Sequence, residues 1–361
     1  MFIMQFLHIS EIIKKNFLQE LRDANAGKPT SLRFIKHELP SKKLVSDDEV
    51  FQVLVVGGTI FRKALLKKVR EQLIFLDEYS EKHPDFSSKN SFLEYISKQM
   101  YPDINTVAIN FAFPLVPQAR DGRLDGKLLA ETKETPFEGL MGEFIGLTIE
   151  QYVASRYSRY IHAFVLNDAI CLLLSGANET ELDFTAGAIM GTGTNMSFSY
   201  EGLAINLESG NFDKFAPSNE CQEIDVSSDQ QRSSLFEKET AGGYLYKHFN
   251  YFINKNQLVF EPISSTLELQ VIALDNRNVK AQSLARDILE KSGAYFAGQI
   301  AGLTAFKNHD MAFIIEGGMY WENDLYQKFV GDYLKILSPE FEIKVLKVDN
   351  SSIIGAANLL T

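Results

Sequence analysis

A carboxylate that could act in proton transfer lies in the middle of the chain, within residues 160–170. Asn167 and Asp168 follow an apolar run typical of a buried strand, and a second apolar run comes directly after them. The pattern predicts a strand, a polar junction and a short helix. Ligands of open α/β sheets bind beyond the carboxyl ends of the strands, where a carboxylate can accept a proton from a bound hydroxyl. Alternatively, the two residues simply cap the helix.

Two turns rich in glycine and threonine follow other predicted strands, and each is a candidate phosphate site. The turn at 57–59 follows a strand at 51–56, and the turn at 191–194 follows a strand at 186–190. Backbone N–H groups in such turns can cradle an anion. A plain hairpin is the alternative for the first turn. The absence of GxxxxGK[ST] and GxGxxG sequences disfavours P-loop and dinucleotide sites.

The composition indicates a large folded protein with a sizeable core. The chain has 361 residues, which suggests two lobes, and 45% of its residues are apolar. Acidic residues outnumber basic residues by 47 to 36, which disfavours binding to nucleic acid and to anionic membranes. The two cysteines and six histidines show no metal-ligand spacing, and Cys171 fits a core residue better than a nucleophile. We expect a soluble cytoplasmic protein without nucleic-acid binding or membrane insertion.

Periodicity predicts the remaining elements. Residues 67–89 form a mixed polar stretch, residues 114–126 a loop and residues 211–232 an irregular excursion. Helices are predicted at 2–21, from Asn90 or Ser91 to about 100, and at 137–159, 235–246, 279–306 and 355–357. Strands are predicted at 51–56, 60–66, 105–113, 186–190, 196–200, 203–207, 311–315 and 342–348.

A series of short motifs resembles the hexokinase family from about residue 31 to the carboxyl end. The motifs, in family order, are Gly57-Gly58-Thr59 with Arg62, Phe111-Ala112-Phe113-Pro114 with Gln118, Thr132-Lys133, Asn167-Asp168, Gly191-Thr192-Gly193 with Asn195, Asn206-Leu207-Glu208 with Gly210-Asn211-Phe212, Phe236-Glu237-Lys238 with Gly243-Tyr244-Leu245, Glu316-Gly317-Gly318-Met319-Tyr320 and Gly355-Ala356-Ala357. The resemblance implies two ribonuclease-H-like α/β lobes around a central cleft, the fold of actin-like ATPases and sugar kinases. The expected small lobe is 31–160 and the large lobe 161–354. Residues 1–30 are expected to pack on the large lobe, and a helix at about 355–361 is a candidate to pack with the small lobe.

The resemblance also implies an activity and a set of site residues. ATP with Mg²⁺ would phosphorylate the primary hydroxyl of a hexose, with glucose expected, as in glycolysis. Asp168 would be the base and Lys133 would lie near the transferred phosphate. The implied sugar contacts are Phe113, Pro114, Thr132, Lys133, Asn167, Asp168, Asn195, Glu208 and Glu237. The implied nucleotide contacts are Gly57, Gly58, Thr59, Arg62, Gly191, Thr192, Gly193, Thr194, Gly317, Gly318 and Met319. The metal would have no direct protein ligand, and the expected assembly is a monomer or a homodimer.

The chain departs from the family pattern mainly on the ATP side. The first phosphate motif of the family reads Asp-x-Gly-Gly-Thr-Asn, and here Val55 and Ile60 occupy the acid and asparagine positions. That acid supports magnesium, whose assistance to phosphoryl transfer is substantial. Ala112 replaces a serine of the sugar loop, and residues 316–318 replace Asp-Gly-Ser near the adenosine. Two functions stay open: a hexose kinase with an altered phosphate site, and a weakly active or inactive homologue that binds sugar as a sensor or regulator. The sugar-side residues disfavour a chaperone-like or actin-like ATPase.

Overall fold

The computed structural model describes residues 5–40, 43–57, 60–70, 72–84, 86, 88–120, 122–129, 138–256 and 260–361. Its helices are α1 (Leu7–Asn25), α2 (Lys89–Lys98), α3 (Ile145–Tyr157), α4 (Asp168–Ser175), α5 (Asn219–Val226), α6 (Leu235–Thr240), α7 (Leu245–Asn256), α8 (Thr266–Leu274), α9 (Val279–Lys307), α10 (Gly318–Trp321), α11 (Asp324–Leu337) and α12 (Ser351–Asn358). Its strands are β1 (Ile35–His37), β2 (Val50–Val56), β3 (Ile60–Val69), β4 (Gln72–Lys82), β5 (Thr106–Phe111), β6 (Leu115–Arg120), β7 (Arg123–Leu128), β8 (His162–Asn167), β9 (Thr185–Met190), β10 (Thr194–Tyr200), β11 (Leu203–Asn206), β12 (Met311–Glu316) and β13 (Ile343–Leu346). The chain is therefore a mixed α/β protein.

The chain divides into two compact units. The first unit consists of Met1–Phe34, Ala188–Met196 and Leu207–Lys347, and the second of Ile35–Gly187, Ser197–Asn206 and Val348–Thr361. Strands β9 and β10 belong to a sheet with the order β1-β11-β10-β9-β12-β13, and each of these two strands contributes residues to both units. The division falls within strands β9 and β10, and β8 pairs with β5 in the second unit.

The second unit contains a five-stranded sheet in the order β4-β3-β2-β5-β8. Strands β4, β3 and β2 pair antiparallel, whereas β2, β5 and β8 pair in parallel. The register places Val56 opposite Phe111 and Phe111 opposite Asn167. The residues that follow these three parallel strands therefore emerge at the same edge of the sheet, which is the edge where ligands bind in open α/β folds.

Apolar side chains cover both faces of this sheet. One buried cluster includes Phe92 of α2 and Ile149 of α3, and the other includes Ile170 of α4 and Ala356 of α12. Parallel strands buried on both faces read as nearly continuous apolar runs. This explains why β2, β5 and β8 were readily predicted from the sequence.

The first unit is organised around α9, a helix of 29 residues that is buried over most of its second half. Helix α1 packs against α9, and its Ile13, Phe17 and Leu21 are fully buried at intervals of four residues. This spacing places the three side chains on one face of the helix. Within the described ranges, no helix is long and apolar enough to cross a membrane.

Some secondary-structure predictions were wrong in detail. The polar stretch 67–89 contains β4, in which no residue is fully buried and Leu73 and Phe75 pack only partly against the core, so the strand pattern is weak. The loop after β5 contains the hairpin of β6 and β7, and the stretch 211–232 contains α5. Helix α2 begins at Lys89 after an N-cap at Ser88, and α3 begins only at Ile145.

The helix predicted over 235–246 is two helices, α6 and α7. The backbone N–H groups of Gly242 and Gly243 donate to the carbonyls of Gly191 (2.8 Å) and Thr192 (2.9 Å). Gly242 and Gly243 therefore do not donate to the carbonyls four residues earlier, as a continuous α-helix would require. The break positions the glycine pair against the loop at 191–193.

A buried ionic cluster joins four helices of the first unit. The ammonium of Lys291 on α9 contacts Glu220 of α5 at 2.5 Å and Glu239 of α6 at 2.6 Å. His248 of α7 is fully buried beside them, and its Nδ1 lies 3.8 Å from Glu220. Burial is the largest influence on Glu239 and opposes its ionisation, but the charge of Lys291, the neighbouring His248 and the hydrogen bonds from Lys291 and Ser218 together hold the pKa of Glu239 below its ordinary value. Burial likewise opposes the charge of Lys291, while Glu239 and Glu220 raise its pKa.

We expect Lys291→Met to destabilise the protein by about 3–5 kcal/mol at neutral pH, because two buried carboxylates lose their cation. Chemical unfolding measures this change. The matched control is Lys328→Met, since Lys328 pairs with Asp332 on the surface of α11, and its loss should cost less than about 1 kcal/mol. Equal effects of the two substitutions would contradict the structural role of Lys291.

The same cluster predicts a pH dependence. Because the pKa of Glu239 is lowered in the folded state, its contribution is present above its unfolded pKa and is lost as the pH falls through the folded value. The stability difference between the wild type and Lys291→Met should therefore shrink in acid, where protonated carboxyl groups no longer need the ammonium. A difference that stays constant below the ordinary carboxylate range would argue against this coupling.

Candidate active site

Asn167 and Asp168 lie at the junction of β8 and α4 in the second unit. Asn167 is 2% exposed, and its Oδ1 accepts hydrogen bonds from the backbone of Ala169 and from Nδ2 of Asn206, both at 3.0 Å. Its Nδ2 donates to the carbonyl of Phe113 at 3.4 Å. Asn167 thus caps α4 and also fixes β11 and the segment after β5.

Asp168 is the first residue of α4 and is half-buried. Its Oδ1 accepts a hydrogen bond from the backbone of Ala169 at 2.8 Å. The N-terminal end of a helix carries a partial positive charge that stabilises a carboxylate. The two sequence interpretations are therefore compatible: Asn167 is the cap, and Asp168 is a carboxylate at the carboxyl end of a parallel strand.

The position of α4 is fixed by α12 of the same unit. A Cβ atom on Gly355 would lie 1.7 Å from the carbonyl oxygen of Cys171, so only glycine allows the two backbones to approach this closely. Asn358 Nδ2 adds a hydrogen bond to the carbonyl of Leu174 at 2.8 Å. Cys171 is fully buried between these elements, as expected of a core residue.

The first predicted phosphate turn connects β2 and β3. The backbone of Gly57 donates to the carbonyl of Ile60 at 3.1 Å. Gly58 and Thr59 lie outside the described residues, as do Thr132 and Lys133. Arg62, which is predicted to contact the nucleotide, donates hydrogen bonds to Glu78 at 2.6 Å, to Ser352 at 3.3 Å and to Asn350.

The two residues that depart from the phosphate motif have different surroundings. Val55 is 7% exposed and belongs to the apolar cluster that contains Ile170 and Ala356. Ile60 is 47% exposed. A valine in an apolar cluster offers no oxygen to a metal, to a metal-bound water or to a phosphate.

Phe113 and Pro114 follow β5 at the edge where β8 also ends. Phe113 is 6% exposed, and its ring lies 4.9 Å from that of Phe111. Its carbonyl accepts the amide of Asn167, and the carbonyl of Pro114 accepts the backbone of Leu129 at 3.1 Å. The structure therefore brings Phe113, Asn167 and Asp168 together within the second unit.

Three predicted sugar ligands, Asn195, Glu208 and Glu237, come together in the first unit. Asn195 Oδ1 accepts hydrogen bonds from the backbones of Met196 (2.7 Å) and Ser209 (3.1 Å), which follows Glu208. Glu237 Oε2 accepts the backbone of Thr194 at 3.1 Å. Glu208 itself adopts a left-handed conformation with φ of 50°, which is uncommon for a residue other than glycine and is typical of functional sites.

A pocket of about 270 Å³ in the first unit contains four of the predicted nucleotide residues. Its lining consists of Gly191, Thr192, Gly242, Thr266, Leu267, Gln270, Gly318, Met319 and Glu322. Gly317, which precedes the lining residue Gly318, has a φ of +126°, and a Cβ there would lie 2.2 Å from the carbonyl oxygen of Met190. Gly193 closes the loop through its carbonyl, which accepts the backbone of Gly191 at 3.0 Å.

Thr194 does not line this pocket. It is 4% exposed within β10, and its backbone is bound to Glu237. Sequence reasoning also missed the pocket residues contributed by α8, namely Thr266, Leu267 and Gln270. The adjacent glycines at 242 and 243 were the available signal, because a glycine pair in a predicted helix marks a close backbone approach.

Comparison with known proteins agrees with this architecture. No protein-family model matches the chain. A hexokinase of Plasmodium falciparum is 25% identical over 238 residues, which cover 60% of this chain and 46% of that protein, so the matched region spans about half of the relative's length. A structure of hexokinase from Schistosoma mansoni complexed with glucose has a TM-score of 0.81, with 98% of this chain and 95% of that chain covered at 16% identity. The chain has the hexokinase fold.

Other solved structures extend the comparison. A second hexokinase structure gives a TM-score of 0.75 at 19% identity, covering 98% of this chain and 95% of that chain. A ROK-family glucokinase from Streptomyces griseus in complex with glucose and AMPPNP gives 0.57 at 16% identity, covering 86% and 99%. The predicted resemblance to hexokinases and the predicted α/β fold of sugar kinases are thereby confirmed, while the roles of individual residues stay predictions.

We expect Gly355→Ala to destabilise the protein by about 1–3 kcal/mol, because the added methyl group would force α12 away from α4. Thermal or chemical unfolding measures the effect. Gly331→Ala is the matched control: Gly331 lies in α11, and a Cβ there meets nothing within 4 Å. That substitution should stabilise by about 0.5–1 kcal/mol through helix propensity. Destabilisation of similar size in both variants would contradict the close contact at Gly355.

Proposed function

We propose that the chain is a hexose kinase that transfers the γ-phosphoryl group of ATP to the primary hydroxyl of a hexose, with glucose as the expected sugar. The observation that carries the proposal is the half-buried carboxylate of Asp168 at the carboxyl end of β8, fixed by the three hydrogen bonds of Asn167. The likeness to hexokinases and to a ROK-family glucokinase supports it.

Asp168 is assigned as the general base. Its carboxylate accepts the proton of the primary hydroxyl as the hydroxyl oxygen attacks the γ-phosphorus, and the bond to the β-phosphate oxygen breaks, releasing ADP. Positioned acid–base groups contribute roughly 10²–10⁴-fold to rate. The start of α4 favours the ionised form of Asp168, which is the form that the step requires.

Asn167, the segment at 113–114, Asn195, Glu208 and Glu237 keep their predicted roles as contacts of the sugar hydroxyls. Carboxylates suit this role because each oxygen can accept hydrogen bonds from hydroxyl groups. The nucleotide is assigned to the pocket of about 270 Å³, where Leu267 and Met319 offer apolar surface and Gln270 offers an amide. Thr132 and Lys133 keep their predicted roles.

Val55 and Ile60 occupy the acid and asparagine positions of the first phosphate motif, and their side chains cannot support a magnesium ion. Val55 is packed in the apolar cluster of the second unit, whereas magnesium requires oxygen ligands or water held by carboxylates. An ion that arrives with ATP would supply charge neutralisation to the phosphates and would be held by phosphate oxygens and water. The assigned actions of Asp168 and the sugar ligands are independent of such an ion.

The buried position of Val55 favours a second candidate function. A chain that retains the sugar ligands but holds Mg·ATP weakly would bind hexose with little or no turnover and would act as a sensor or regulator. The two candidates share the sugar-binding residues and differ only in phosphoryl transfer. A turnover measurement therefore separates them.

We expect Asp168→Asn to lower the rate of ADP release in a glucose-dependent coupled assay by about 10²–10⁴-fold. The chain offers a matched control in Asp324→Asn. Asp324 is the first residue of α11 and follows an asparagine cap, as Asp168 does in α4, but it has no assigned role. An unchanged rate in Asp168→Asn would refute the assignment of the base, and an equal loss in both variants would indicate a structural effect.

We expect Val55→Asp combined with Ile60→Asn to raise the turnover number, because the pair restores the oxygen-bearing side chains of the phosphate motif. The same coupled assay, run across a range of Mg·ATP concentrations, measures the gain. Val55→Thr with Ile60→Thr serves as a control for added polarity without the carboxylate. No gain in a variant that remains folded would mean that Val55 is not the limiting defect.

A further inference from the structure

Gln299 is a fully buried amide in the second half of α9. Its neighbours along the helix, Gly298 and Ile300, are buried as well. The Nε2 of Gln299 donates a hydrogen bond to the main-chain carbonyl of Ser209 at 3.1 Å. Glutamine is found mostly on protein surfaces, so a glutamine at this depth requires an explanation.

The stability of the fold does not account for this glutamine. The Oε1 of Gln299 is buried and has no hydrogen-bond partner in the described part of the chain. Leaving a buried acceptor unpaired typically costs more free energy than one neutral hydrogen bond returns. The carbonyl of Ser209 also accepts the backbone N–H of Phe212 at 3.1 Å, so it keeps a partner without Gln299. A methionine would fill a similar volume and would bring no unpaired oxygen.

The carbonyl that Gln299 contacts belongs to the residue directly after Glu208, one of the predicted sugar ligands. Glu208 has a φ of 50°, and residues other than glycine keep such a conformation only where their surroundings hold it. The Oδ1 of Asn195 accepts the backbone N–H of Ser209 at 3.1 Å, while Gln299 donates to its carbonyl. Side chains from β10 and α9 therefore fix both main-chain polar groups of Ser209.

The turn that begins at Glu208 also lies against Glu237, another predicted sugar ligand. The backbone N–H of Asn211 donates to the carbonyl of Glu208 at 3.0 Å and closes the turn. A Cβ on Gly210 would lie 3.1 Å from the Cβ of Glu237, so the turn and α6 are in close contact. A shift of the Ser209 carbonyl would consequently displace Glu208 and disturb the contact with Glu237.

We propose that Gln299 is a positioning residue for hexose binding, which fixes the carbonyl of Ser209 and thereby the direction of the Glu208 carboxylate. The inference rests on the proposed function, because the orientation of Glu208 matters only to a chain that binds a hexose. Gln299 acts through Ser209 and is not itself a sugar contact. A carboxylate held in its binding orientation raises affinity, because less conformational freedom is lost when the ligand binds.

Calorimetric titration of glucose into the nucleotide-free full chain tests the inference with the variant Gln299→Met. We expect the dissociation constant for glucose to rise by about tenfold or more, because Glu208 is no longer held before the sugar binds. The melting temperature should stay within about 4 °C of the wild-type value, since the lost hydrogen bond is offset by removal of the unpaired oxygen. An unchanged affinity for glucose would overturn the inference.

Thr304→Val is the matched control. Thr304 is fully buried in the same helix, but its hydroxyl donates to the carbonyl of Ile300 within α9 itself, at 2.9 Å. We expect this variant to bind glucose as the wild type does. Equal weakening in Gln299→Met and Thr304→Val would show a general effect of removing a polar group from α9, and the positioning role would be wrong.

Gln299→Asn keeps the test valid if Gln299→Met fails to fold. Asparagine retains an amide in the same place, but its side chain is one methylene shorter and cannot span the distance to the Ser209 carbonyl. Glucose binding should again be about tenfold weaker or worse. Wild-type affinity in the folded Gln299→Asn variant would overturn the inference.

A double-mutant cycle with Glu208→Gln separates positioning from a purely structural role. If Gln299 acts through Glu208, adding Gln299→Met to Glu208→Gln should weaken glucose binding little beyond the effect of Glu208→Gln alone. Losses that simply multiply would mean that the two residues act independently, which contradicts the inference.

The wild-type titration distinguishes failure of this inference from failure of the proposed function. A wild type that binds neither glucose nor any other hexose overturns both together. A wild type that binds glucose, with Gln299→Met binding it equally well, overturns the positioning role alone and leaves the proposed function standing.

Discussion

The hydrogen bonds of one buried amide, that of Asn167, hold the candidate active site of the second unit together. Its oxygen accepts from the first turn of α4 and from Asn206, and its nitrogen donates to the carbonyl of Phe113. A strand, a helix start and a loop are thereby fixed to a single side chain. Because a buried polar group without partners costs about 1–3 kcal/mol, the three segments are strongly favoured to stay in this arrangement, and Asp168 takes its position from them.

The close contact of α12 with α4 extends this constraint. Gly355 lets the α12 backbone reach the carbonyl of Cys171, so the helix that begins with Asp168 has little freedom to shift. In the first unit, Lys291 plays a comparable part by joining α5, α6 and α9, which carry or flank Glu237 and the glycine pair at 242–243. Rigid supports of this kind suit a site that must hold its polar groups in fixed positions.

Elements with a clear apolar periodicity were predicted from the sequence. Elements whose form depends on contacts with distant residues were not. The junction at 167–168, the strands of the parallel sheet and α9 followed from apolar periodicity. Strand β4 did not, because only Leu73 and Phe75 of this edge strand pack partly against the core and the rest of the strand is mostly polar and exposed. The helix predicted over 235–246 is broken near Gly242, whose backbone N–H donates to the carbonyl of Gly191, and this distant partner cannot be inferred from local sequence.

The proposed sugar ligands are polar and hydrogen-bonded, whereas Val55, at the proposed phosphate side, belongs to an apolar cluster. We therefore propose that the chain binds a hexose whether or not it turns over ATP. Calorimetric titration of glucose into the nucleotide-free protein, with other hexoses in parallel titrations, measures this binding. We expect saturable binding of one hexose per chain in the absence of ATP. No detectable binding of glucose or of any other hexose by the folded protein would contradict this proposal.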